Sequence, residues 1–226
     1  MRMFCEEYHL DCIFEEDKVM ELLIESPVLF QDFIVNLRLQ YEGKGEFAIF
    51  SEAGKEIDLA KKAEMITDPL QMDINNRKIL SKIYQEIVKT QQDTNLEKMM
   101  QIQSLLEQFV LEACEESQYA LTYHSNIDFS DILKVFDVHV DYEEMDLVSR
   151  MIAYIRMMHR VLNISLFVFV NIKAYFSDDI LEALYQTLSY ENVYILLIER
   201  YESTFINKEK RVILDKDACV ICDNDR

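Results

Sequence analysis

The stretch Ser165-Leu166-Phe167-Val168-Phe169-Val170-Asn171 decides the fold, because five consecutive apolar residues stop at a polar residue on each side. A strand with one face in water alternates apolar and polar residues. A strand without alternation is covered on both faces, as in the middle of a parallel sheet. Downstream, residues 177–189 read as a helix and Val193-Tyr194-Ile195-Leu196-Leu197-Ile198 as a second buried run, so the three pieces make a strand–helix–strand crossover. Residues 211–222 are expected to add one or two terminal strands.

Upstream of the deciding strand the period changes to that of helices. Met151, Ile155, Met158 and Leu162 share one face, as do Ile79, Ile83 and Ile87, and then Met99, Leu106, Phe109 and Ala113. A shorter helix capped by Asp128 is expected to bury Phe129, Ile132, Leu133 and Phe136. Nearer the N-terminus, Tyr8 to Glu15 and Lys18 to Glu25 read as strands, and Phe30, Phe33, Ile34, Leu37 and Tyr41 mark a helix. Glu46 to Phe50 and Lys55 to Leu59 flank the turn Ser51-Glu52-Ala53-Gly54, and Ala63 to Thr67 is a short strand. The expected organisation is an α/β body made of residues 1–74 and 163–226, interrupted by an all-helical insertion of residues 75–162.

Strand–helix units of this kind hold phosphates where a glycine-rich loop exposes backbone N–H groups at a helix N-terminus. Here the first such turn reads Ser26-Pro27-Val28-Leu29-Phe30, with no glycine and no lysine followed by Ser or Thr. Gly54-Lys55 is followed by Glu56 and has Ile49 where the loop's first glycine belongs. The deciding strand ends in Asn171, where an NTPase of this topology carries a magnesium-binding Asp or Glu. No nucleotide and no nucleotide hydrolysis are expected.

A metal-dependent nuclease needs clustered carboxylates and a lysine near strand ends. Glu42-Gly43-Lys44 is the one Glu-x-Lys placed in a loop, and it reads as a solvated helix terminus. His9, His124, His139 and His159 show no ligand spacing, and His159 reads as a surface or interface residue rather than a base. The five cysteines read as free thiols, with Cys219 and Cys222 in a core strand rather than at a zinc knuckle. No catalytic residue is expected.

Forty-two acidic against 23 basic residues give a formal net charge of −19, which by itself favours a protein partner or cations over nucleic acid. A phosphate backbone, however, feels only the field within about 8 to 10 Å at physiological salt. Local basic groupings exist: Arg38 and Lys44; Lys61 and Lys62; Arg77, Lys78 and Lys82; Arg150, Arg156 and Arg160; Lys173; Lys208, Lys210 and Arg211. No run approaches the ~20 apolar residues of a membrane span. The start, Met1-Arg2-Met3-Phe4-Cys5-Glu6-Glu7, turns acidic too soon for a signal peptide, so a cytoplasmic location is expected.

Several stretches, taken in order, resemble a known family. They are the loop-less first strand and helix, Glu46-Phe47-Ala48-Ile49-Phe50, Glu64-Met65-Ile66-Thr67-Asp68 and Met72-Asp73-Ile74-Asn75-Asn76. After the helical insertion come Leu166 to Asn171, Ile195-Leu196-Leu197-Ile198-Glu199 and Ile213-Leu214-Asp215-Lys216-Asp217. Over nearly its whole length the chain is similar to the short type II-A CRISPR adaptation subunits, the Csn-two family of ring-forming proteins that bind DNA ends. The resemblance implies a P-loop-NTPase-like head without Walker motifs and an inserted all-helical leg. It implies a non-enzymatic homotetramer that threads double-stranded DNA ends without reading sequence, holds structural Ca²⁺, and works in spacer acquisition with the CRISPR integrase and effector nuclease. On that resemblance the calcium ligands fall on Glu112, Glu115, Glu116, Asp128 and Asp131, although Thr122 and His124 stand where further acids are expected. The DNA contacts are expected among Arg38, Lys61, Lys62, Arg77, Lys78, Lys82 and Lys173. An acidic protein-interaction scaffold is the alternative reading, with a metal-dependent nuclease behind it.

Overall fold

A computed structural model describes residues 1–15, 19–142 and 144–223 of the chain. In chain order the elements are β1 (Arg2–Cys5), β2 (Leu10–Ile13), β3 (Val19–Ile24), α1 (Pro27–Tyr41), β4 (Ile49–Glu52), β5 (Lys55–Glu56), α2 (Leu59–Lys62) and β6 (Ala63–Ile66). They continue with α3 (Arg77–Thr94), α4 (Leu96–Glu115), α5 (Phe129–Val135), α6 (Leu147–Leu162), β7 (Leu166–Val170), α7 (Asp178–Leu188), β8 (Tyr194–Glu199), β9 (Glu209–Leu214) and β10 (Val220–Asp223). Lys18, expected to open the second strand, lies outside the described residues.

The chain divides into two compact units, Met1–Ile74 with Tyr142–Arg226, and Asn75–Asp141. The first is an α/β head. Its main sheet has the order β10-β9-β3-β8-β7-β6, in which β9, β3, β8, β7 and β6 run parallel and β10 is antiparallel. A smaller antiparallel sheet, β2-β1-β4-β5, lies in the same unit. Strands β7 and, from Ile195 on, β8 are buried on both faces, which accounts for their apolar runs.

The two faces of the main sheet differ in chemistry. Met20, Leu22, Ile24, Leu166, Val168, Leu196, Ile198, Val212 and Leu214 join one apolar core with Phe33 and Leu37 of α1 and with Met3 and Phe50 of the small sheet. Period-two alternation sends Glu21, Glu199, Glu209 and Arg211 to the opposite face, and all four are buried. There α7 reaches the sheet through Tyr185, whose hydroxyl donates to Glu209 Oε1 at 3.0 Å.

In the helical unit, Asn76 caps α3 by accepting from the N–H groups of Lys78 and Ile79, both at 3.1 Å. Ile79 and Tyr84 form the buried side of α3, and Tyr84 also donates to the Val138 carbonyl. Asn75 pairs twice with the Val140 backbone at 2.9 Å, pinning the end of the unit to its start.

The insertion is shorter than the expected 75–162. Helix α6 belongs to the head, where Met151, Tyr154, Ile155 and Met158 are buried and the Tyr154 hydroxyl donates to Glu64 Oε1 at 2.8 Å. Helical periodicity announces a face that must be covered but not which body covers it. Among the described residues no helix is long and apolar enough to cross a membrane.

Candidate functional site

The place where a phosphate would sit, between β3 and α1, is two residues long. Glu25 N–H bonds the Leu214 carbonyl at 2.9 Å, and Ser26 caps the helix. Of the first-turn donors, Pro27 has none to offer, Leu29 N–H goes to Ser26 Oγ at 3.5 Å and Phe30 N–H to the Ser26 carbonyl at 2.9 Å. The turn is short and without glycine, and two of its first-turn donors are engaged by Ser26. At the end of β7, Asn171 adopts φ 53° and its Oδ1 accepts from Arg200 N–H at 3.0 Å, so it ties β7 to the end of β8 instead of facing a metal.

Next to that edge lies a buried charge cluster. Lys173, in the short 3-10 turn Ile172–Ala174, places Nζ 2.9 Å from Glu21 Oε1 and 2.8 Å from Glu209 Oε1. Arg211 Nε is 2.6 Å from Glu21 Oε2. Lys173 N–H donates to Glu199 Oε1 at 3.2 Å. Burial pushes the Glu199 carboxyl up to about 7, opposed by that N–H bond and reinforced by the charge of Glu21. Glu209 is raised by burial first and by Glu21 second, and burial beside Glu209 lifts the Tyr185 phenol far above its ordinary range.

Lys173 is thereby removed from the expected DNA contacts. Its side chain is only 5% exposed and its ammonium is committed to two carboxylates. In sequence it was one lysine after a polar strand end; burial is a property of the residues that fold over it.

The other basic residues are exposed or paired at the surface. Arg38 lies 3.1 Å from Glu42, which Lys44 also contacts at 2.6 Å, so Glu42-Gly43-Lys44 closes α1 as a solvated terminus. Lys61 pairs with Asp58 at 2.7 Å, and Lys62 Nζ donates to the Asn163 carbonyl at 3.3 Å. Exposed pairs of this kind contribute about 0–1 kcal/mol and yield readily to a phosphate. In the helical unit Arg77, Lys78 and Lys82 are exposed at the start of α3, and among the described residues none of them has an acidic partner.

Helical spacing adds Lys89, which was missed: it stands eleven residues beyond Lys78 and seven beyond Lys82, three turns and two turns on. The three lysines therefore form one stripe about 16 Å long. The signal was present in the sequence as the i, i+4, i+11 spacing. Arg156 and Arg160 form no such free strip, since both reach Glu191, at 2.6 and 3.6 Å.

The expected calcium ligands do not converge within one chain. Among the described residues no three His, Cys, Asp or Glu side chains group as a metal site. Glu112 accepts from Gln108 at 2.8 Å, Asp128 caps α5 through Ser130 N–H, and Asp131 pairs with Lys134 at 2.7 Å. Glu115 and Glu116 close α4 without joining them. This arrangement does not fit a calcium ion held by a single subunit.

One smaller expectation also changes. Cys219 and Cys222 are exposed, not core, because β10 is an edge strand and Cys219 precedes it. Cys5 and Cys12 are the buried pair, and burial pushes the Cys12 thiol up to about 12, where it is unreactive. His159 is partly buried, with Nδ1 2.7 Å from the Ile164 carbonyl.

A family model described as CRISPR-associated protein (Cas_Csn2) matches residues 40–218. Among solved structures, an ATP-binding cassette of an ABC transporter in its ADP conformation is 10% identical at a TM-score of 0.46, covering 97% of this chain and 88% of its own. An ABC-transporter ATP-binding protein from Pyrococcus furiosus is 11% identical at a TM-score of 0.37, covering 90% and 88%.

Proposed function

Because the chain belongs to the CRISPR-associated Cas_Csn2 family, and so has a role in CRISPR adaptation, we propose that it is a non-catalytic subunit that binds double-stranded DNA ends without reading sequence. The observation that carries this reading is the stripe of Lys78, Lys82 and Lys89, three exposed ammonium groups without acidic partners among the described residues, in a chain of net charge −19. Phosphates are the ligands such a stripe suits, and contacts to phosphate position a duplex without specifying a base. Arg38, Lys61, Lys62 and Arg77 are further candidate contacts.

Exposed apolar surface on which subunits could meet supports the reading as well. Helix α4 leaves large apolar side chains in the open, with Leu96, Met100, Leu105 and Phe109 each more than half exposed. Apolar surface of that kind is ordinarily covered. The proposed assembly is a homotetrameric ring that threads DNA ends and presents them to the CRISPR integrase and effector nuclease. Calcium, if it supports the ring, must draw carboxylates from more than one subunit.

The deciding experiment is a gel shift of the purified protein with a linear duplex and with the same duplex closed into a circle, each with Ca²⁺ and with chelator. Binding to the linear form alone, lost at high salt and without cleavage, is the expected result. Equal binding to both forms sinks threading. Binding to neither favours the second reading, an acidic scaffold that assembles the acquisition complex, which the net charge of −19 recommends.

A further inference from the structure

Residues 200–208 join β8 to β9 over the buried charge cluster and contain no helix or strand. From Ser203 to Ile206 their ties to the body end on members of that cluster. Arg211 Nη2 donates to the Ser203 carbonyl at 2.9 Å, Lys173 Nζ to the Thr204 carbonyl at 3.4 Å, and Ile206 N–H to Glu209 Oε2 at 2.9 Å. The Arg211 guanidinium also lies over the Phe205 ring, 5.5 Å from its centroid.

Glu199 stands at the root of this segment and is only 3% exposed. Glu21 and Glu209 are balanced by Lys173 and Arg211, two against two. Glu199 is the odd carboxyl: among the described residues it makes no ion pair, and its bond is to the Lys173 backbone N–H. Once ionised, it adds an unbalanced buried charge beside Glu21 and competes with Glu21 and Glu209 for the one ammonium that also holds Thr204.

We propose that residues 200–208 form a proton-held strap, closed while Glu199 is neutral and released from Lys173, Glu209 and Arg211 when Glu199 ionises. The ionisable groups around Glu199 are Glu21 on β3, Lys173 after β7, Tyr185 on α7, Glu209 and Arg211 on β9, and the strap's own Arg200, whose guanidinium lies over Tyr201. Glu209 also holds its proton more tightly than usual, but it is met by Lys173, Tyr185 and Ile206 N–H, which leaves Glu199 as the group in control. Opening returns Glu199 to water and to its ordinary value of 4.5, while closure holds it near 7. The opening constant therefore rises by up to about tenfold per pH unit between those values and levels off above them. The device is independent of DNA binding and operates in the head alone.

The chain has no tryptophan, so Phe205→Trp introduces a single fluorophore on the strap while keeping a ring under Arg211. Acrylamide quenching of that fluorescence is followed from about pH 5.5 to about pH 8.5, with and without Glu199→Gln. Quenching is expected to rise several-fold toward neutral pH and to stay low and flat when Glu199→Gln is added. A flat profile with Glu199 intact, or a rise that survives Glu199→Gln, overturns the proposal. Amide hydrogen exchange of residues 200–208, corrected for the intrinsic rate and measured without the tryptophan, must show the same dependence on Glu199. Exchange that ignores both pH and Glu199→Gln overturns it equally.

Discussion

Lys173 shows how one buried cation can hold several elements together. Its ammonium meets Glu21 of β3 and Glu209 of β9 from a turn after β7. Lys173→Met leaves two carboxylates facing each other without their common partner, and a loss of about 3–5 kcal/mol is expected in urea denaturation. The salt dependence of DNA binding should be unchanged in any folded fraction, because the ammonium is committed to Glu21 and Glu209 rather than offered to a phosphate. Glu199 works in the opposite sense. Below about pH 4.5 it is protonated in both folded and unfolded chains; between that value and about 7 the unfolded chain releases its proton and the native chain does not. While the strap stays closed, stability thus falls as pH rises through this window, by up to about 3 kcal/mol, and opening of the strap relieves part of that cost above it. Glu199→Gln should remove this cost, so urea midpoints of variant and parent diverge at about pH 8 and converge at about pH 4.5. Midpoints that stay parallel across that range would show that Glu199 titrates normally.

At the scale of elements, α3 and α6 present lysines and arginines at similar helical spacing with different consequences. The α3 lysines have no acidic partner among the described residues, and Lys82 donates only to the neutral Gln85 at 3.4 Å, whereas Arg156 and Arg160 share Glu191. Each of Lys78→Ala, Lys82→Ala and Lys89→Ala should lower the slope of log K against log salt by about 0.9 if that ammonium contacts a phosphate. Arg156→Ala and Arg160→Ala should leave the slope where it is. Titrating binding to one linear duplex at several salt concentrations separates the two helices. Equal slopes for parent and triple α3 variant would remove α3 from the interface. The Asn76 cap gives an independent check on the helix itself, since Asn76→Ala should cost about 1 kcal/mol of stability without altering the charge of the stripe.

For the whole molecule, the question is how a chain of net charge −19 meets DNA at all. The proposed answer is spatial segregation, an acidic bulk with a local basic lining that only an assembly brings together. Assembly in turn should depend on α4, where Leu105 and Phe109 are 67% and 68% exposed. Leu105→Asp combined with Phe109→Asp is expected to reduce the mass seen by sedimentation to that of a monomer while helical content is kept. DNA binding should weaken with it, because one subunit offers too few phosphate contacts. An unaltered mass would place the assembly surface elsewhere.

The parallel strands, the helices and the glycine-free turn between β3 and α1 were legible because each is written in local order. Buried strands lack alternation, helical faces recur every three to four residues, and Ser26-Pro27 stands where glycines would have to be. The lysine spacing on α3 was equally local. What needed the tertiary structure is every property that depends on residues far apart in sequence. Helix α6 joins the head because Tyr154 meets Glu64, 90 residues away, and Lys173 is buried because Glu209, 36 residues on, closes over it. Cys222 is exposed because β10 has a neighbour on one side only, and the expected calcium ligands stay apart because each is already engaged or solvated on its own element. Periodicity reports which face of an element avoids water; burial and ion pairing are decided by what the chain brings to that face, and no local pattern encodes that.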